Sequence, residues 1–231
     1  MTEGGGRHLD VLVRFTDLGH LPRLEQCVFA LLGQVMDGDG AGGPSPTAMQ
    51  VHVLLPRFSF SEVESVRAAL HPLRGLSDAV SIILHNWDHP EPHNLRAPML
   101  NLGLERARGR YLGCLEIGDV MLPGGYARLL ARLQRGDAAI ALGGLATQQV
   151  EWWGDVVLPL STASAGRAGW GADGFAFLLD RTRVALPDLV FRVARPVAEV
   201  EEFVERIRLG YGADLESATD VLGVRQVLGA R

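Results

Sequence analysis

Lysine is absent from this 231-residue chain: all 22 of its basic residues are arginine. Compositional bias explains most of that, yet it leaves the guanidinium, with its bidentate fork for phosphate or carboxylate, as the standing cationic side chain. Cysteine is scarce as well. Cys27 and Cys114 fall in apolar segments, which predicts two small buried side chains in a reducing compartment rather than a disulfide framework. Positive charge is not in excess either; the formal net charge is -5, so no basic field marks a nucleic-acid binder. No apolar run is long enough to span a bilayer, and the opening MTEGGGRHLD lacks the basic-then-apolar order of a signal sequence. A cytoplasmic location is the expectation. What is present, 47% hydrophobic and 21% charged residues, is the balance of a globular chain with enough length for a large core, expected as one domain over residues 1–231.

Strand and helix patterns alternate along the chain, which predicts an α/β fold with helices on the faces of a sheet. Residues 1–8 are expected as a flexible N-terminus, 9–15 as a strand and 21–34 as a helix with Pro22 in its first turn. The Gly- and Pro-rich stretch 36–48 is expected as a surface loop. Strands follow at 51–55 and 80–84, separated by a helix that Ser59 or Ser61 would cap. Leu102, Leu104 and Ala107 keep a helical rhythm that Arg108-Gly109 closes, and 111–115 is an apolar run of strand length. Beyond it come a helix at 124–134, strands at 138–142, 148–158 and 175–179, a Gly-, Ser- and Ala-rich loop at 161–174, and a helix at 197–209. Residues 210–231 are expected as a C-terminal helical extension.

The most informative run is 101–126. There the strand at 111–115 delivers Glu116 and Asp119 into a loop, and in open α/β sheets ligands bind beyond the carboxyl ends of strands. Its elements occur in a recognisable order: Asn101-Leu102-Gly103, then Ala107-Arg108-Gly109-Arg110-Tyr111, then Leu115-Glu116-Ile117-Gly118-Asp119 with Pro123, all preceded by Arg14-Phe15-Thr16-Asp17. In these motifs the chain resembles the family 2 glycosyltransferases of GT-A fold. The likeness is strongest over 101–126, fair over 9–34 and weak over 175–209. It implies a Rossmann-like three-layer sandwich with a mostly parallel central sheet, a nucleotide-sugar donor and transfer of the sugar to a hydroxyl acceptor.

The resemblance also implies site residues. The family's Asp-x-Asp loop holds a divalent cation, Mg²⁺ or Mn²⁺, against the donor diphosphate, which gathers negative charge as the glycosidic bond breaks. Here that pattern is degenerate: Glu116 stands for the first Asp, Gly118 offers no ligand in place of the second, and Asp119 remains. Glu116 and Asp119 are the cation candidates, against the alternative of a polar turn and helix cap. Phe15, Thr16 and Asp17 after the first strand are donor candidates, with Arg57 and Arg96 as phosphate contacts and Phe58 as a stacking surface. Asp17 could equally cap the following helix.

Transfer needs a general base at the acceptor hydroxyl. Matching Phe203 and Arg206 to the family's later positions puts Glu199 and Val200 under its Glu-Asp pair, and another register puts Glu201 and Glu202 there, so Glu199, Glu201 and Glu202 are the candidates. A solvated acidic helix face is the plainer alternative. His85, His89 and His93 look metal-like, but Pro90 and Pro92 break the helix that would align them. Trp152 and Trp153 would point to opposite faces of a strand, one free for a sugar. No Gly-rich phosphate loop follows the first strand, as a nucleotidyltransferase would require. Two classes stay open: a working glycosyltransferase, and a catalytically inactive GT-A-like domain that binds a ligand or protein partner. No additional acceptor domain or membrane module is expected, and a homodimer through the terminal helix or an edge strand is possible.

Overall fold

A computed structural model describes residues 8–34, 48–90, 92–153, 156–163, 175–192, 199–214 and 221–228. The expected N-terminal tail, but for His8, and the expected loop at 36–48, but for Ala48, lie outside these residues; His8 and Ala48 each open a strand. β1 (His8–Arg14) and α1 (Leu21–Leu32) are followed by β2 (Ala48–Pro56), α2 (Phe60–Leu70) and β3 (Val80–Trp87). These form two repeats of strand and helix in which β1, β2 and β3 pair side by side and parallel. Pro22 sits in the first turn of α1, where its missing N–H costs no bond. Ser59 caps α2 in a capping box, its hydroxyl accepting from Glu62 N while the Glu62 carboxylate accepts from Ser59 N.

α3 (Arg96–Arg106), β4 (Tyr111–Glu116), β5 (Asp119–Met121) and α4 (Gly125–Arg135) complete the first part of the chain. The motif residues explain themselves by packing. Gly103 lets α3 lie close on the sheet, since a Cβ there would meet Leu12 Cδ2 at 2.9 Å. Asn101 clamps the backbone of Phe191, accepting from its N at 2.7 Å and donating to its O at 2.8 Å. The amides of Arg108 and Gly109 both donate to the buried Asp10 carboxylate at 2.6 Å.

β6 (Ile140–Trp153), β7 (Val156–Ala163), β8 (Phe175–Asp180), α5 (Glu199–Tyr211), β9 (Ala213–Asp214) and β10 (Val221–Leu228) follow. The strands join in one sheet of order β3-β2-β1-β4-β8-β6-β10-β5, with β7 and β9 also on β6. Alternation on β1 sorts the core: Leu9, Val11, Val13 and Phe15 face α1, α2 and α4, whereas Leu12 faces α3 and α5. Each large aliphatic side chain so buried contributes about 1.5–3 kcal/mol.

Two expectations are corrected. The sheet is mixed, not mostly parallel: β4 with β8, β6 with β8, β6 with β7 and β5 with β10 run antiparallel. For β6 and β7 the cause lies in the connection, since only two residues separate them and so short a link joins antiparallel strands alone. The expected terminal helix is also overturned: within 210–231, helix α5 ends at Tyr211, and β9 and β10 are strands. The apolar spacing in VLGVRQVL suits either period, but β10 gains β6 on one side and β5 on the other. Gly223 permits that approach, because a Cβ there would stand 2.7 Å from Val120 O. The first residues of the expected loop at 161–174 likewise belong to β7; residues 164–174 lie outside the described set.

Candidate functional site

The carboxyl ends of β1 and β4 meet on the face covered by α3 and α5. Arg14 closes β1 in register with Glu116, which closes β4, and strand alternation puts both on the same side as Leu12 and Leu112. Arg14 donates through Nη2 to Glu116 Oε1. Only 7% of Arg14 is exposed, and its Nη1 is buried with no hydrogen-bond partner among the described residues. Glu116 keeps 38% of its side-chain surface but stands crowded by neighbouring atoms. That desolvation raises its pKa above the usual carboxylate range; Arg14 opposes the rise and Asp119 adds to it.

From Glu116 the chain turns through Ile117 and Gly118 into β5. Gly118 has φ of 100°, in the left-handed region, and a Cβ there would lie 2.1 Å from Arg23 Nη2. Arg23, donating to Gln226 O at 2.8 Å, thus fills the space that a second Asp of the cation loop would need. Asp119 is 2% exposed and folds back so that its Oδ2 accepts from Glu116 N at 3.1 Å. Arg225, its register partner on β10, grips it in a bidentate pair, with Nε to Oδ1 at 2.7 Å and Nη2 to Oδ2 at 3.0 Å.

The facing wall is α5. Glu199, Phe203 and Ile207 are buried at helical spacing, so Glu199 belongs to the inward stripe of that helix. Phe203 stacks on Phe191 with ring centroids 4.3 Å apart, which fixes the rotation of α5. Glu199 approaches Arg96 Nε, at the start of α3, at 3.4 Å through Oε2, while its buried Oε1 has no hydrogen-bond partner among the described residues. Glu202 faces away and accepts from Arg206 Nε at 3.0 Å; Arg206 in turn donates to Asp188 O and Val190 O, both at 2.6 Å. One cavity of about 200 Å³ is lined by Arg14, Glu116, Asp119 and Arg225 on one side and by Arg96, Glu199, Val200 and Glu201 on the other.

Five of the eleven candidate residues therefore come together in the cavity: Glu116, Asp119, Arg96, Glu199 and Glu201. Phe15 is fully buried in the core, edge-on to Phe58 at 5.9 Å. Thr16 and Asp17 are exposed beyond β1, with Asp17 capping a short turn through Gly19 N at 2.8 Å. Arg57 donates to His89 O at 2.7 Å and Pro92 O at 2.6 Å, tying down the segment after β3. His85 pairs with His52, whereas His89 is 74% exposed; side-chain contacts of Trp152 and Trp153 lie outside what is described. Sequence reasoning missed Arg23 and Arg225 as site residues and did not assign Arg14 a role. Arg225 carried a signal in the β-branched run around it, which favours a strand; the pairings of Arg14 and Arg225 join residues over a hundred positions apart, |i−j| being 102 and 106.

These residues do not fit a divalent cation. Asp119 presents both carboxylate oxygens to Arg225, Glu116 is held by Arg14, and Gly118 supplies no ligand atom. Among the described residues no three His, Cys, Asp or Glu side chains gather as metal ligands.

The mixed sheet between two helical layers is a GT-A-like fold, which this chain shares with solved structures of glycosyltransferases. The structure of S. aureus TarS residues 1–349 with UDP superposes with a TM-score of 0.62 at 11% identity, covering 96% of this chain and 61% of that one. The same protein with UDP-GlcNAc gives 0.61 at 11% identity, covering 97% and 59%. The mannosyltransferase PcManGT from Pyrobaculum calidifontis, in complex with GDP-Man and Mn²⁺, gives 0.57 at 14% identity, covering 96% and 56%. The chain spans less than two thirds of the length of each of these. No protein-family model and no curated protein matches the sequence. No helix among the described residues is long and apolar enough to cross a membrane.

Proposed function

We propose that the chain is a glycosyltransferase that moves a sugar from a nucleotide-sugar donor to a hydroxyl acceptor. The observation that carries this is Glu199: a carboxylate on the inward stripe of α5, lining the cavity, with a buried oxygen that no described residue satisfies. A general base needs that combination of fixed position and a free lone pair. The acceptor oxygen attacks the anomeric carbon as the bond from that carbon to the diphosphate oxygen breaks, and Glu199 Oε1 takes the hydroxyl proton. Glu201, on the cavity lining, is the second candidate base; Glu202 also has an oxygen, Oε2, unbonded among the described residues, but does not line the cavity, and its Oε1 accepts from Arg206. A cavity of about 200 Å³ is smaller than the usual ligand pocket, so it takes the sugar and diphosphate, and the nucleoside extends over the exposed Thr16 and Asp17.

The TarS and PcManGT structures hold UDP, UDP-GlcNAc and GDP-Man, which makes nucleotide sugars the donors to try first. Glu199→Gln is expected to lower the rate of nucleoside diphosphate release by about 10²–10⁴-fold while leaving donor affinity unchanged. A variant as fast as the parent removes Glu199 from the reaction. A second reading, a domain that binds donor without turnover, is favoured by the arginine pairing of both Glu116 and Asp119. It predicts donor binding with no release of diphosphate by the parent protein, whatever acceptor is supplied.

A further inference from the structure

We infer that guanidinium groups take the place of the metal ion in this cavity, so that a diphosphate binds to Arg14 and Arg225 without a divalent cation. The inference rests on the glycosyltransferase reading for the identity of the ligand but not for the existence of the anion site. Three guanidiniums, those of Arg14, Arg23 and Arg225, surround the turn that carries two carboxylates, Glu116 and Asp119. Arg23 lies behind the turn, so the cavity wall itself sets Arg14 and Arg225 against Glu116 and Asp119, two charges against two, and the raised pKa of Glu116 tilts that balance toward positive. Of the acids opposite, Glu199 faces Arg96 at 3.4 Å, whereas Glu201 lies within electrostatic reach of Arg225.

Geometry says why a cation is replaced rather than merely lost. Arg23 occupies the volume of a side chain at Gly118, which the left-handed backbone keeps open for it. Asp119 uses its two oxygens to aim Arg225, leaving the guanidinium on the cavity wall. Glu116 likewise holds one nitrogen of Arg14, while the other, Nη1, is buried without a partner among the described residues. A buried guanidinium nitrogen left unbonded in the fold is an unmet donor, and a phosphate oxygen is the acceptor that its fork geometry suits. The carboxylates thus act as positioning residues for the arginines. The leaving diphosphate would gather its charge against fixed guanidiniums, which need no reorganisation at the moment of bond breaking.

The test is isothermal titration of the full chain with inorganic pyrophosphate, UDP and GDP, each in EDTA and again in excess Mn²⁺. Pyrophosphate and at least one nucleoside diphosphate are expected to bind in EDTA, with affinity no better in Mn²⁺. Removing the ion pair as a unit, Asp119→Asn with Arg225→Gln, avoids a lone buried carboxylate and is expected to weaken pyrophosphate at least about tenfold, with the thermal melt retained. Arg14→Gln is expected to do the same, so the proposal does not hang on one variant's folding. Binding that requires Mn²⁺, or that survives both variants unchanged, overturns the inference while leaving a glycosyltransferase in place. Pyrophosphate binding in EDTA with no binding of UDP or GDP under either condition has the reverse meaning: the arginine site stands and the proposed function falls.

Discussion

Asp10 and Arg14 stand on the same face of β1 at its two ends, and the contrast between them separates scaffold from site. Asp10 is fully buried, yet its oxygens are satisfied: Oδ2 accepts from the amides of Arg108 and Gly109, and Oδ1 meets His52 Nε2 at 3.3 Å. Those bonds, with the nearby imidazoles, outweigh the cost of burial and hold its carboxyl below the usual range. Arg14 is nearly as buried, but its Nη1 and the facing Glu199 Oε1 have no partner among the described residues. Folding rarely leaves such atoms orphaned. Orphaned atoms occur elsewhere among the described residues too, at Trp87 Nε1 and Tyr126 Oη among others. What sets Arg14 and Glu199 apart is that theirs belong to charged groups lining a cavity, where a ligand can supply the missing bond, whereas the bonds of Asp10 fasten the end of α3 to the sheet.

The sharpest way to break the contrast is to remove one carboxylate from the scaffold and one from the site. Asp10→Ala strands two amides and His52 in the core, and is expected to destabilise the fold by about 3–5 kcal/mol, read by chemical denaturation. Glu199→Gln, by comparison, should leave stability within about 0.5 kcal/mol while it slows turnover by about 10²–10⁴-fold. A loss of stability at Glu199 matching that at Asp10 would erase the distinction.

A smaller effect comes from the histidines beneath Asp10. His52 Nδ1 lies 2.9 Å from His85 Nε2, and burial, with the added repulsion of His52 and Arg106, pushes the His85 pKa from 6.5 down to about 4. The unfolded chain therefore takes its proton first as pH falls below 6.5, and the folded chain resists until about 4. Stability is expected to fall across that window and to level off below it. For a half-buried group the screened loss is about 1–2 kcal/mol. Denaturation midpoints of the parent and of His85→Gln at pH 7 and pH 4.5 check it; a variant with the parent's acid sensitivity would move the cause elsewhere.

Much of the scaffold was legible because local chemistry fixed it. Ser59 and Glu62 announce a capped helix, Pro22 a first turn, and the alternation of Leu9, Val11 and Val13 a strand. Asn101, Gly103 and Gly109 sit in their motif order for reasons of close packing and backbone bonding. The site was legible only in part. Glu116, Asp119 and Glu199 lie where the strand and helix patterns pointed, and Phe203 on its neighbour Phe191 settles which acid of the cluster turns inward. What the sequence could not disclose is what neutralises those acids. Arg225 reaches Asp119 through a strand whose eight residues fit a helix as well, and only the unpaired edges of β5 and β6 decide between them. Arg23 enters the turn because Gly118 leaves it room, which no local pattern of residues records.

The most direct test of the division between scaffold and site is amide hydrogen exchange with and without a saturating nucleoside diphosphate, UDP or GDP, in EDTA. The account predicts added protection at residues 14–17, 116–119 and 223–226, and none at 106–109, where the amides of Arg108 and Gly109 already belong to Asp10 and that of Ala107 to Gly103 O. Unchanged exchange with either ligand, or protection centred on 106–109, would contradict it.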